Sequence, residues 1–161
     1  MKRSGKDGKT ATLRRVLFGS IEYWAGVQLR NELLKKTSGK ELITTLPIEE
    51  KNNFHLVVIV EGEVVGTLML SRMNQTTMRI EQVAISKKVQ GQGLGITLIE
   101  YAEEFSSELG FQHVFLTGRE SAWSFYEKLG YQGNDVVEMN GTIRIKEFNK
   151  IIRVKEMETN G

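Results

Sequence analysis

The stretch from Glu81 to Ile99, EQVAISKKVQGQGLGITLI, is predicted to form a strand, a glycine-rich turn and a helix. Its first part is short, apolar and partly β-branched, which favours a strand. The glycines at Gly91, Gly93 and Gly95 exclude a regular strand there, because glycine lowers the cost of tight backbone angles. Beyond them, apolar residues recur at helical spacing, so the helix is expected to start directly from the turn.

This turn is a candidate phosphate cradle. The first N–H groups of a helix have no partner within the helix, and they point outward beside the positive end of its dipole. Two familiar phosphate-binding patterns do not fit. The third glycine of the dinucleotide fingerprint comes one residue early, at Gly95, and no Gly-Lys-Ser/Thr ending of a P-loop follows. An ordinary glycine-rich turn is the alternative interpretation.

Two motifs resemble those of the GNAT N-acetyltransferase superfamily, in its small bacterial type. The spacing Gln90-x-x-Gly93-x-Gly95 is similar to the acetyl-CoA pyrophosphate motif, Gln/Arg-x-x-Gly-x-Gly/Ala, of that family. The segment Ala122–Tyr131, AWSFYEKLGY, resembles the family segment A-x-x-F-Y-E-K-L-G-F/Y. The two motifs occur in the family's order, with a predicted helix and strand between them.

The predicted element order is a strand, a helix, a possible short helix, three strands, a helix, a strand, a short helix and two strands. The first helix is expected to be capped by Ser20 and to end near Ser38-Gly39, and the possible short helix runs through Ile48-Glu49-Glu50. That order predicts an α/β fold with a mixed sheet and helices on its faces. The resemblance, over residues 12–150, implies a mostly antiparallel central sheet, helices on both faces and two splayed parallel strands. We expect those strands to be the one ending at Ser86 and the one beginning near Phe111, with pantetheine between them.

The chain length of 161 residues predicts one domain over residues 12–155. A disordered polar extension is expected over residues 1–11 and a frayed tail over residues 156–161. A net charge of +2 argues against binding nucleic acid through a basic face. The longest apolar run is too short to span a membrane, and the basic N-terminus lacks the apolar core of a signal peptide. A cytoplasmic location is therefore expected.

The chain contains no cysteine, which excludes disulfides, a thiolate nucleophile and cysteine metal sites. Its two histidines, His55 and His113, do not stand at metal-ligand spacing, so no metal is expected. The resemblance implies acetyl-CoA as cosubstrate. It assigns the pyrophosphate contacts to the turn, at Gln90, Gly91, Gly93 and Gly95, with the N–H groups of Gln92, Leu94 and Ile96 nearby. It assigns the pantetheine contacts to the strand before the turn, at the backbone of Val83, Ala84 and Ile85. Where relatives commonly carry Asn, this chain has Arg119, which can reach CoA as a charged donor or simply be solvated.

Acetyl transfer to an amine requires a base, because an alkyl amine has a pKa of about 10.4 and must lose its proton. Glu81 is the candidate base, since by strand alternation it shares a face with Val83 and Ile85. The alternative is a solvated residue paired with Arg79 or Arg72. Tyr126 matches the tyrosine that many relatives place beside the CoA sulfur, so it is the candidate acid. Its helical spacing also fits an ordinary core aromatic.

The acceptor is expected to be a primary amine of an unidentified small molecule or peptide, with Arg30 and Arg79 as candidate substrate contacts. The favoured function is an acetyl-CoA-dependent N-acetyltransferase that works by direct attack in a ternary complex, since no cysteine can form an acyl-enzyme. One alternative is a non-catalytic acyl-CoA-binding or regulatory module on the same fold. The other is a nucleic-acid or protein-interaction domain that keeps the fold. Because many relatives are homodimers, a homodimer is one expected assembly.

Overall fold

The computed structural model describes residues 1–4 and 9–152. Its strands are β1 (Lys2–Ser4), β2 (Thr10–Val16), β3 (Phe54–Val60), β4 (Glu63–Arg72), β5 (Thr77–Ile85), β6 (His113–Arg119), β7 (Gln132–Gly133), β8 (Glu138–Asn140) and β9 (Ile143–Ile151). Its α-helices are α1 (Ile21–Arg30), α2 (Lys36–Ser38), α3 (Leu94–Glu108) and α4 (Trp123–Lys128). The sheet is mostly antiparallel, with β5 and β6 as its parallel pair, which confirms the predicted fold class. Among the described residues, no helix is long and apolar enough to cross a membrane.

The chain divides into two compact units. The first unit comprises Met1–Ser71 and Ile80–Tyr101, and the second comprises Arg72–Arg79 and the chain from Ala102 onward. Strand order in the first unit is β1-β2-β3-β4-β5, and in the second it is β5-β6-β9-β7, with β8 also paired to β9. The assignment of residues 12–155 to one domain stays a prediction.

The N-terminus differs from its prediction. Residues Lys2–Ser4 form β1, where the sequence predicted disorder over residues 1–11. Their backbone pairs antiparallel with β2, and the Met1 ammonium group donates to the Leu13 carbonyl at 2.8 Å. Because backbone hydrogen bonds hold this strand and require no particular side chains, the polar composition of the segment did not predict it. Residues 5–8 and the predicted tail at 156–161 lie outside the described residues.

Helix α1 packs closely on the sheet of the first unit. As predicted, Ser20 caps it, with its Oγ accepting from the Tyr23 N–H at 3.2 Å. At Gly26 an added Cβ would lie 2.7 Å from Oγ1 of Thr67, so only glycine allows this approach. The helix continues through a π-helical turn, Asn31–Lys35, into α2 and ends at Gly39 with φ +68°, near the predicted end.

The β3–β4 hairpin places Gly66 of β4 opposite Val58 of β3, at the core of the first unit. An added Cβ at Gly66 would lie 2.5 Å from Cγ1 of Val58 and 2.7 Å from Cδ1 of Ile85. Leu98 of α3 is the next neighbour at 3.6 Å. The close packing of these side chains fixes the end of β5 against the start of α3.

In the second unit, β6 pairs antiparallel with β9 along its whole length. Phe148 is the largest of the fully buried side chains in this core. At its periphery the Tyr131 hydroxyl donates to Oε2 of Glu103 at 2.7 Å, and Lys150 donates to Oε1 of Glu103 at 2.9 Å. These contacts connect α3, the AWSFYEKLGY segment and β9.

Candidate functional site

Two glycines of the turn adopt backbone angles that other residues rarely take. Gly91 has φ +84° and Gly93 has φ +81°. An added Cβ at either position would meet no heavy atom within 4 Å, so the backbone is open there. The Gln90 side chain braces the turn, because its Nε2 donates to the Ile85 carbonyl at 3.2 Å. Substitution of these glycines would therefore cost backbone strain rather than a steric clash within the chain.

Helix α3 begins directly at this turn. The Thr97 N–H donates to the Gly93 carbonyl at 3.1 Å, which is the first bond of the helical ladder. The N–H groups of Leu94, Gly95 and Ile96 come before that bond and have no helical carbonyl four residues back. The Gln92 N–H instead donates to Val89 within the turn, so it contributes less than predicted. The N–H groups of the first three helical residues lie at the positive end of the dipole of a 15-residue helix, beside glycine backbone without side chains. Such an arrangement suits the binding of a diphosphate group.

Strand β5 contains one residue in the left-handed region, Gln82, with φ +56°. Buried residues still alternate along the strand on both sides of Gln82, at Met78, Ile80 and Ala84. That Glu81 shares a face with Val83 and Ile85 stays a prediction. The residues predicted to bind pantetheine, Val83, Ala84 and Ile85, follow Gln82. They also lie beyond Thr77–Arg79, the part of β5 that pairs with β6.

Glu81 is half-buried and hydrogen-bonded. The Ser71 hydroxyl at the end of β4 donates to Oε2 of Glu81 at 2.8 Å. That bond orients the carboxylate without neutralising its charge. Glu81, the glycine turn and the start of α3 all belong to the first unit.

Tyr126 of α4 belongs to the second unit and is 7% exposed. Its ring packs against the rings of Tyr131 and Phe148, with centroids 5.9 and 5.7 Å away. No residue of the described ranges 1–4 and 9–152 hydrogen-bonds to its hydroxyl. Burial raises the pKa of Tyr126 to about 12. The phenol therefore stays protonated at neutral pH and can donate a hydrogen bond.

Two further predicted contacts lie in the second unit. Arg79 is half-buried, and its guanidinium lies 5.7 Å from the centroid of the Phe115 ring on β6. Arg119 is the half-buried last residue of β6 and stands at the N-cap of a short 3₁₀ turn, Glu120–Ala122. Its side chain makes no cap hydrogen bond there.

Arg30, a predicted substrate contact, is buried in the first unit. Its Nη1 and Nη2 donate to the two oxygens of Glu50 at 2.8 and 2.6 Å. The Tyr23 hydroxyl donates to the same carboxylate at 2.8 Å. Since both terminal nitrogens of Arg30 bind Glu50, the structure gives this residue an internal role.

Sequence reasoning missed Glu50 and Ser71. Glu50 was expected in a short helix, and it does lie in the 3₁₀ turn Ile48–Glu50. However, burial of its carboxylate depends on Arg30, which is 20 residues away. Ser71 carries no signal at all, because a serine near a strand end is common.

The model of the acetyltransferase (GNAT) family matches residues 23–131. The chain belongs to this family. The matched residues include the glycine turn, Glu81 and the AWSFYEKLGY segment. Every candidate site residue therefore lies within the part of the chain that matches the family model. Within the described residues, no group of three or more His, Cys, Asp or Glu side chains is placed to hold a metal ion.

Comparison with individual proteins agrees with the GNAT fold. The YyaT protein of Bacillus subtilis (strain 168) is 36% identical over 78 residues, which are 48% of this chain and 52% of YyaT. The match therefore spans about half of that relative. A solved protein of Lactobacillus plantarum superposes with a TM-score of 0.78 at 21% identity, covering 88% of this chain and 98% of its own. A GNAT acetyltransferase of Elizabethkingia anophelis, solved with acetyl-CoA bound, has a TM-score of 0.66 at 12% identity, covering 88% and 98%. At these identities the structural likeness shows the fold.

Proposed function

We propose that this chain is an acetyl-CoA-dependent N-acetyltransferase that acts on a primary amine of a small molecule or peptide. The observation that carries the proposal is the Gln90–Gly95 turn, which is open at Gly91 and Gly93 and lies at the first N–H groups of α3. Family membership supports acetyl transfer as the reaction. From the resemblance, the proposal extends to a cytoplasmic location and a homodimer.

The reaction proposed is direct attack in a ternary complex. Acetyl-CoA supplies an activated acetyl thioester. A bond forms between the amine nitrogen and the acetyl carbon while the carbon–sulfur bond breaks. An ammonium group first gives one proton to the base. The neutral nitrogen then loses a second proton on attack while the sulfur gains one, so atoms and charges balance. The absence of cysteine supports this route over a cysteinyl acyl-enzyme.

Glu81 is the proposed base. Its carboxylate can take the amine proton directly or through one water, and the Ser71 hydrogen bond limits the orientations that it samples. The residue directly after it, Gln82, has a left-handed backbone with φ +56°.

Tyr126 is the proposed donor to the leaving sulfur. A phenol with a pKa of about 12 is a weak acid, so it stabilises a thiolate by hydrogen bonding more than by full proton transfer. Arg119 is proposed as a charged donor to CoA, and Arg79 as a positive group near an acidic part of the acceptor.

Calorimetric titration with acetyl-CoA tests the cradle, using the wild type, Gly93→Glu and the control Gly110→Glu. Gly110 is also a left-handed glycine, with φ +92° and no heavy atom within 4 Å of an added Cβ, but it lies at the opposite end of α3. The two variants therefore carry similar backbone strain and the same added charge. We expect Gly93→Glu alone to lose binding, because its carboxylate repels the diphosphate at the donor end of the helix.

Equal loss of binding in both variants would contradict the cradle assignment. Release of free CoA thiol with spermidine, kanamycin and a lysine-containing peptide then tests turnover. Tight binding without thiol release from any amine would favour the non-catalytic acyl-CoA-binding module. No binding by the wild type would contradict the acetyltransferase function.

A further inference from the structure

Residues 40–53, here called the connecting segment, join α2 to β3 with almost no regular structure. Its only helical part is the 3₁₀ turn Ile48–Glu50. Two of its apolar side chains, Ile43 and Leu46, pack on the core cluster around Val27. A segment without its own hydrogen-bonded ladder depends on outside contacts for a single conformation.

Asn31 supplies one of these contacts. Its Nδ2 donates to the Ile43 carbonyl at 2.9 Å, and its Oδ1 accepts from the Ile43 N–H at 2.8 Å. The amide thus satisfies both polar groups of one backbone residue, as a neighbouring strand would. Asn31 is only 6% exposed, so water does not easily replace these bonds.

The neighbouring residue, Arg30, supplies the second contact. It binds both carboxylate oxygens of Glu50 in a bidentate pair, and the two side chains are 5% and 8% exposed. The Nε2–H of His55 donates to the Glu50 carbonyl at 3.0 Å, and Tyr23 donates to its side chain. Adjacent residues of α1 and its π-helical extension therefore hold the connecting segment near its start, at Ile43, and near its end, at Glu50.

The end of this segment lies near the proposed base. Phe54 opens β3 and pairs with Leu70 of β4. The next residue of β4, Ser71, donates to Glu81 on β5. Since neighbouring strands lie about 4.8 Å apart, the strand that follows the segment runs about 10 Å from the strand of Glu81. All of these residues belong to the first unit.

We propose that Arg30 and Asn31 are positioning residues for the acceptor amine, which hold the connecting segment as a wall beside Glu81 without contacting the substrate. The inference rests on the proposed N-acetyltransferase function. The Arg30 side chain is enclosed and both of its terminal nitrogens bind Glu50, which fits a role inside the protein. Arg30 then acts on the acceptor through the connecting segment, and not by the direct substrate contact predicted from the sequence.

The test compares Asn31→Ala and Arg30→Lys with the control Ser38→Ala. Lysine keeps the charge of Arg30 but not its bidentate geometry, so Glu50 is not left as an unpaired buried charge. Ser38 donates to the Leu34 carbonyl within its own helix at 2.6 Å, so the control removes a hydrogen bond that does not reach the connecting segment. Amide hydrogen exchange is followed for residues 40–50 without ligand. Steady-state kinetics use acetyl-CoA with spermidine, kanamycin and a lysine-containing peptide as probe amines.

We expect exchange in residues 40–50 to become about tenfold faster in both variants, and not in the control. The KM for the probe amine that the wild type accepts should rise about tenfold, while the KM for acetyl-CoA changes by less than about twofold.

Three results would overturn the positioning role. One is an unchanged KM for the amine despite faster exchange. Another is a parallel rise of both KM values, which would indicate general loosening. The third is wild-type protein that binds acetyl-CoA but acetylates no probe, in which case the proposed function fails. The exchange data would then still show whether Arg30 and Asn31 hold the segment.

Discussion

The Ser71 hydroxyl donates a hydrogen bond to Oε2 of Glu81 across 2.8 Å, between two neighbouring strands of the first unit. The next residue, Gln82, has a left-handed backbone, with φ +56°. The hydrogen bond from Ser71 limits the orientations of the Glu81 carboxylate beside this backbone feature. A side chain held in this way suits a base that must receive a proton from a fixed direction.

Glu81→Gln should lower kcat/KM for the amine by about 10²- to 10⁴-fold at neutral pH, because the amide cannot take the proton. Acetyl-CoA affinity should stay at the wild-type value. Ser71→Ala should cause a smaller loss, since it removes only the orienting bond. The exposed Glu104→Gln is the charge-matched control. Kinetics across pH check the prediction, and a Glu81→Gln variant with the wild-type profile would reject Glu81 as the base.

Tyr126→Phe should lower kcat with little change in stability, because the hydroxyl forms no hydrogen bond with a described residue. Tyr131→Phe is the contrasting variant. Its hydroxyl donates to Glu103, so its loss should lower the free energy of unfolding by about 1–3 kcal/mol. Urea unfolding and single-turnover thiol release separate the two effects. Wild-type turnover by Tyr126→Phe would leave that ring with a packing role alone.

Gly66→Ala should lower the free energy of unfolding by about 1–3 kcal/mol, because the added methyl group would overlap Val58 and Ile85. In the double variant with Val58→Ala, one of the two overlaps is removed. The two substitutions should then be less destabilising together than the sum of their separate effects. Urea unfolding measures both quantities. Strict additivity would show that β4 shifts instead of packing against Val58.

The free energy of unfolding should fall as the pH is lowered, because His55 resists protonation in the folded chain. Burial lowers its pKa below the ordinary value, so the folded ring resists protonation. The unfolded chain takes up that proton below about pH 6.5, so the contribution is complete above this pH and is lost as the pH falls. Urea unfolding between pH 5 and 8 should show the decline in the wild type and a weaker one in His55→Gln. Equal declines in the two proteins would exclude His55 as the cause.

A second decline should begin below about pH 4.3, from Glu50. Burial alone would raise its pKa, but the Arg30 hydrogen bonds and charge lower it below the ordinary value. A carboxylate with a lowered pKa stabilises the fold above its unfolded pKa and loses that contribution as the pH falls. This step should persist in His55→Gln, which separates the two groups.

Local features were predictable from the sequence. The strand, turn and helix around Gln90–Gly95, the Ser20 cap and the Gly39 end each depend on residues within a few positions of one another. Backbone angles and helix ends are determined at that range, because glycine freedom and capping oxygens act on the nearest peptide groups. The residue spacing within the two motifs also indicated the GNAT family.

Tertiary structure alone decided the partners of polar side chains and the course of strands. Arg30 and Glu50 are 20 residues apart, and Ser71 and Glu81 meet only because β4 and β5 are neighbours. The β1 strand likewise depends on pairing with a separate segment of the chain. A buried charge must find its counter-charge wherever the fold brings it, since desolvation makes an unpaired charge too costly. The sequence therefore predicted the candidate phosphate cradle, while packing determined which side chains surround the candidate base.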